Sequence, residues 1–208
     1  LICGWMITSK DGSPMKAGGH PALAVDTVRY VGDHVAIVIA ETHAIARDAA
    51  EMIKVEYDEL PVVADPAKAQ SAGAPQIHAE APRNTIYQWE IGNKAETEAA
   101  FKKAATTVKL NLTNNRLIPN AMEPRACVAF WEGEKLTLYT PTGGISNCRH
   151  DTARDLGIPD ENVRIICQYM GGNFGNKNQN QDADLITATL AKHAGAPVKL
   201  EFSRRDDW

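Results

Sequence analysis

The chain is poor in the features that usually announce chemistry. Aromatic residues make up only 6% of its 208 positions. No apolar run approaches the roughly 18 residues expected of a membrane span, so none is expected. Cys3, Cys127, Cys148 and Cys167 lie far apart with no C-x-x-C pair, which leaves no zinc-ribbon or redox motif and no sign of a secreted disulfide framework. We read them as reduced thiols, small buried hydrophobes of a cytoplasmic protein. His20, His34, His43, His78, His150 and His193 are equally dispersed, and no H-E-x-x-H pattern occurs. A metal is therefore not expected to be held by side chains of this chain. Positive charge is not in excess either. A net charge of -4 removes the electrostatic reason to expect nucleic acid or an anionic membrane as partner. An initiator Met and a basic-then-apolar leader are both missing at Leu1-Ile2-Cys3-Gly4. The chain stops at Arg204-Arg205-Asp206-Asp207-Trp208, directly after a strand-like run, so both ends read as cut from something larger.

What is present is an ordinary globular composition, 44% hydrophobic and 23% charged, with room for one large domain or two small ones. Val35 to Ala40 reads as a buried strand, and Thr42 as the N-cap of a helix running to Ile53. Lys54 to Tyr57 alternates as a half-buried strand does, and Leu60 to Val63 closes the unit. From Pro66 to Pro82 the composition shifts to Ala, Pro, Gln and Ser, which places a domain boundary there: 1–80 before it and 81–208 after it. The second stretch predicts a helix over Lys94–Ala105 and a strand at Thr107–Leu112. A hairpin is expected at Ala126–Phe130 and Leu136–Tyr139, turning at Glu132-Gly133-Glu134. A helix from Ser146 to Leu156 is stopped by Gly157 and Pro159. Strands follow at Val163–Gln168 and Val198–Phe202, around a helix from Asp182 to His193. The fold class expected is α+β, a mixed α/β arrangement.

The passage Met170-Gly171-Gly172-Asn173-Phe174-Gly175-Asn176-Lys177 sits between one of these strands and the helix at Asp182. Glycines let backbone approach a ligand closely, and the unpaired N–H groups of a helix start attract anions. The spacing fits neither a P-loop, since Asn178 follows Lys177, nor the G-x-G-x-x-G of a Rossmann turn. Taken alone it is equally a tight structural turn. Lys177 reads as a solvated or helix-capping cation, or as a direct participant. Glu123 and Arg125 suggest an ion pair across a turn. The polar run from Asn178 through Gln179 and Asn180 to Asp182 either caps a helix or lines a channel.

Three passages together resemble the large, molybdopterin-binding subunit of the molybdenum hydroxylases, the family of xanthine dehydrogenase, aldehyde oxidase and the aerobic carbon monoxide dehydrogenases. Val28-Arg29-Tyr30-Val31-Gly32-Asp33-His34-Val35-Ala36, running on to Tyr57-Asp58-Glu59-Leu60-Pro61-Val62-Val63, resembles its α/β-hammerhead domain. Asn115 to Arg125, with Met122-Glu123-Pro124-Arg125, resembles the opening of its first molybdopterin-binding domain. Leu156-Gly157-Ile158-Pro159 and Met170 to Lys177 are similar to the region ending in its G-G-G-F-G-G-K loop. The resemblance implies a hammerhead-like domain over 1–80, incomplete at its start, and a first molybdopterin-binding domain over 81–208, incomplete at its end.

It also implies a molybdenum–pterin cofactor, molybdopterin or its cytosine dinucleotide form, with iron–sulfur clusters and FAD on partner chains or domains. Partners would be a second molybdopterin-binding domain or subunit, an iron–sulfur subunit, an FAD subunit and a small-molecule substrate. That substrate is an N-heterocycle or an aldehyde, oxidised with water as oxygen source. By resemblance, Gly143, Gly144, Gly172, Asn173, Phe174, Gly175 and Asn176 contact the cofactor, and Asn178 faces the substrate. Gly143 stands where the family carries a Gln that reaches an oxygen on molybdenum. Asn173 and Asn176 replace loop glycines, where Asn tolerates left-handed angles. Asn178 replaces a Glu of xanthine-oxidising members, and an amide cannot protonate a purine nitrogen. The family's general base lies in the second domain. A scaffold that kept the fold without redox work, and an unrelated phosphate-binding domain, are the alternatives.

Overall fold

The computed structural model describes residues 6–178 and 181–207. Expectations for Cys3, Gln179, Asn180 and the terminal residues fall outside that range. The chain divides into two compact units, residues 19–60 with 118–207, and residues 6–18 with 61–117.

The first unit carries helix α1, His43–Glu51. Thr42 caps it from an extended conformation, its hydroxyl accepting from the Ile45 N–H. The second unit carries helix α2, Lys94–Lys103, capped by Asn93 with Glu96 in its first turn and two lysines in its last. In this second unit, backbone bonds from Lys10 to Gln88 and from Lys16 to Ile86 tie residues 6–18 to the segment before α2. Asn84 staples the connecting loop: its amide donates to the carbonyls of Ala69 and Pro75 and accepts from the Ile77 N–H, all at 2.9 Å. Those three bonds offset its left-handed backbone, φ 54°.

The first unit also holds the sheet: β1 Ala126–Glu132, β2 Lys135–Tyr139, β3 Val163–Ile166 and β4 Val198–Glu201, in the order β3-β2-β1-β4. β1 and β2 form the expected hairpin, with Gly133 taking the left-handed turn position at φ +61°. β2 and β3 run parallel, joined by helix α3, Ile145–Leu156. Helix α4, Asp182–Ala194, leads into β4. Register places Cys127 beside Leu200, Ala129 beside Leu138, and Leu138 beside Ile165, so one face of the sheet is apolar from edge to edge. α4 packs across β1 and β4, and α3 against β3. The core is therefore one sheet face under two helices, with Ala129, Leu138, Cys148, Ala153 and Ala188 fully enclosed. The Trp131 indole donates to the Ala188 carbonyl at 2.8 Å, which lets a large side chain join that layer without an orphan N–H. Both helices end on left-handed glycines, Gly157 and Gly195.

The fold is mixed α and β as expected, and the four helices stand within two residues of their predicted ends. The strands expected at Val35–Ala40, Lys54–Tyr57 and Thr107–Leu112 do not form. Their alternating side chains suit a sheet, but a strand needs a neighbour for its hydrogen bonds, and these segments pair with none among the described residues.

Candidate functional site

The glycine loop begins where β3 runs out, and charged and amide side chains gather around it. Glu123 binds both ends of the glycine loop. At the near end its carboxylate accepts from the Gly171 N–H at 2.9 Å, while its own N–H donates to the Gly171 carbonyl at 3.2 Å. At the far end the Lys177 ammonium donates to the Glu123 carboxylate and carbonyl, both at 2.9 Å. Lys177 is only 2% exposed, so this is a buried, hydrogen-bonded cation rather than a solvated one, and it caps no helix. Burial pushes the Glu123 carboxyl up. The Lys177 hydrogen bond, the Gly171 N–H and the Lys177 charge outweigh it and hold the group below 4.5.

The approach requires glycine at 171: a Cβ there would sit 2.5 Å from the Cβ of Glu123. Glu123 and Arg125 do not pair with each other. Arg125 turns the opposite way, donating to the Asp207 carboxylate at 2.8 Å and to the Asn176 amide oxygen. Arg204 donates to the Ala121 and Met122 carbonyls at 2.7 Å and so fixes the segment that carries Glu123.

The loop itself is left-handed at Gly172, Phe174 and Gly175. Asn173 and Asn176 are not, so their presence is not explained by tolerance of that region. They serve through their amides: Asn173 accepts from the Lys177 N–H at 2.8 Å, and Asn176 accepts from Arg125. Phe174 is the anomaly. An aromatic residue at φ 51° costs on the order of 1 kcal/mol, and Phe174 is 75% exposed, so burial does little to offset the strain.

The second half of the site is the start of α3. The Gly143 N–H donates to the Lys177 carbonyl at 2.9 Å, and Gly144 lies beside the Asn178 backbone, which brings the start of α3 against the end of the glycine loop. Gly144 is the N-cap and has no side chain to satisfy the first turn. No side chain bonds the first turn of α3, whose leading N–H groups have no partner within the helix. The expectation that α4 supplies the anion-attracting helix start is corrected here. The α4 N-terminus is closed by a Gln181–Asp184 capping box and carries Asp182 and Asp184. The signal for α3 was in the sequence, a Gly-Gly pair where a Ser, Thr, Asp or Asn cap would ordinarily stand.

Gly143, Gly144, Asn173, Asn176 and Asn178 are thus neighbours through direct contacts, with Gly172, Phe174 and Gly175 on the loop between them. Among the described residues no group of three or more His, Cys, Asp or Glu side chains is placed to hold a metal. The surface offers N–H donors and short glycine backbone, which fits a group bound through its oxygens, such as a pterin phosphate or oxygens already carried by a metal.

The family model described as molybdopterin cofactor-binding domain matches residues 77–208, and that of the aldehyde oxidase and xanthine dehydrogenase a/b hammerhead domain matches residues 6–61. The chain is 38% identical to the carbon monoxide dehydrogenase large chain of Hydrogenophaga pseudoflava, over 93% of its own length and 27% of that relative. It is 31% identical to the nicotine 6-hydroxylase large subunit of Paenarthrobacter nicotinovorans, over 90% of its own length and 23% of that relative. The crystal structure of a Cu,Mo carbon monoxide dehydrogenase superposes with a TM-score of 0.82 at 30% identity, covering 89% of this chain and 25% of that one. The chain therefore spans about a quarter of the length of these relatives. It belongs to the molybdenum hydroxylase family, the molybdopterin-dependent oxidoreductases of the xanthine dehydrogenase and aldehyde oxidase type.

Proposed function

We propose that this chain forms the cofactor-facing half of a cytoplasmic molybdenum hydroxylase that oxidises an N-heterocycle or an aldehyde. The reaction inserts oxygen from water into a C–H bond next to the heteroatom or carbonyl. Two protons are released, and two electrons pass to iron–sulfur and FAD groups on partner subunits. When bound, the molybdenum–pterin supplies the two-electron redox chemistry and Lewis acidity. This chain's residues hold and orient it. Gly143 and Gly144 admit it to the start of α3, and Gly172, Asn173, Phe174, Gly175 and Asn176 present the loop's N–H groups to it. Asn178 stands at the end of the loop, on the side toward the substrate. The general base comes from a second molybdopterin-binding domain or subunit.

The observation that carries this reading is the donor surface formed by the glycine loop with the uncapped α3 start, held open by the Glu123–Lys177 clamp. Its donors suit oxygen acceptors, and nothing in it ligates a metal directly. No described helix is long and apolar enough to cross a membrane. The family match over residues 77–208 does not favour an unrelated phosphate-binding domain.

The test is oxidation of a panel of N-heterocycles and aldehydes by the intact complex in H218O. Label in the hydroxylated product, with reduction of the iron–sulfur and flavin absorbance, is expected. An intact complex that lacks molybdenum and oxidises none of them would instead favour the scaffold reading.

A further inference from the structure

Gly143 is a glycine for reasons of space, not angle. Its φ lies outside the left-handed region, so any residue would suit the backbone. A Cβ there, however, would fall 2.2 Å from the Asn173 amide nitrogen and 2.5 Å from the Asn178 amide oxygen. The two asparagines, five residues apart in sequence, lie where the side chain of residue 143 would begin.

Their hydrogen bonds also fix which way they face. The Lys177 N–H can only donate, so the Asn173 oxygen must meet it, at 2.8 Å. That turns the Asn173 NH2 toward Asn178, whose oxygen accepts from it. Both carbonyl oxygens are therefore used. What remains beyond these two bonds is one N–H on Asn173 and both N–H groups of Asn178.

We propose that Asn173 and Asn178 act as one donor unit, seated in the space that Gly143 leaves open, which positions an oxygen acceptor of the group bound at this loop. The three positions form one device: the space left by Gly143 admits the two asparagine amides, which meet each other there. The proposal rests on the reading above, that the loop faces the cofactor.

Asn178→Asp separates a positioning role from a structural one. An aspartate is nearly isosteric and still accepts from the Asn173 NH2, so the loop is retained. It replaces two donors by an anionic oxygen aimed at an acceptor. In the intact complex the expected result is an unchanged thermal midpoint with at least a tenfold fall in kcat and an altered Mo(V) electron paramagnetic resonance signal, or loss of molybdenum. A wild-type signal and turnover would overturn the proposal. A fall in midpoint as large as that of Asn173→Gly would do so too, by showing a staple only.

The packing half is read from thermal midpoints without turnover. Gly143→Ala is expected to lower the thermal midpoint of the native chain and to cost little in a background carrying both Asn173→Gly and Asn178→Gly. Additive effects would overturn the coupling. A wild-type complex lacking molybdenum would overturn the reading of the site and the ligand role with it, and the Gly143 coupling would still be decided by the midpoints.

Discussion

Lys177 and Glu123 show how much one residue can settle. Lys177 is almost wholly enclosed, whereas the Glu123 side chain keeps 37% of its exposure. Removing either partner breaks the same bond, but only one removal strands a charge away from water. Lys177→Met lets the Glu123 carboxylate turn outward and is expected to cost about 2 kcal/mol, whereas Glu123→Ala leaves a buried ammonium with one carbonyl and is expected to cost about 3–5 kcal/mol. Urea denaturation of the two variants checks the order, and a costlier Lys177→Met would show that the clamp is not what holds the loop. The Glu123 carboxyl is held below 4.5, so its contribution is present above that value and is lost as pH falls through the folded-state pKa. At this scale the sequence revealed the important residues better than their partners. Glu123, Arg125 and Lys177 all stood out as charges in an apolar or glycine-rich setting. The pairing of Glu123 with Lys177, 54 positions away, depends on the loop folding back, and no local spacing encodes that.

Helices and strands were unequally legible for a physical reason. A helix completes its own hydrogen bonds, and its ends are written in caps such as Thr42, Asn93 and Gly157. A strand is half a structure. Ala126–Glu132 and Lys135–Tyr139 could be read because a two-residue turn supplies each with its neighbour. Thr107–Leu112 has the same alternation, yet Val108, Leu110 and Leu112 stand exposed with no sheet to enter. The caps support a direct check. Gly157 is left-handed with open space around it, so Gly157→Ala is expected to cost about 1 kcal/mol through backbone strain alone. A neutral result in thermal unfolding would contradict that account. The first residue of α4 carries a second device: Asp182 lies 3.5 Å from His20 and 3.6 Å from His34, with Tyr30 bonded to His20 and Asp33 adding its charge. Interaction with Asp182 raises the His34 pKa above 6.5, against the opposing effect of burial. A raised histidine stabilises fully below 6.5, and its contribution is lost as pH rises through the folded-state value. Because His34 remains about a third exposed, the expected amplitude is under about 1 kcal/mol. Asp182→Asn should flatten stability between pH 6 and 8, and an unchanged slope would show that the contact is idle.

For the whole molecule, the family was legible because it depends on order along the chain, with a hammerhead passage, a Met-Glu-Pro-Arg passage and a glycine loop in succession, rather than on any single motif. The site's donor character was only half legible. The loop and the Gly143-Gly144 pair are both visible in the sequence, but their contact depends on the bond from the Gly143 N–H to the Lys177 carbonyl, which no local spacing encodes. The central claim is that this donor surface holds a molybdenum–pterin. Metal analysis of the intact native complex by mass spectrometry tests it most directly. The account predicts about one molybdenum per copy of this chain, accompanied by several irons. An intact complex containing the irons but no molybdenum would contradict it.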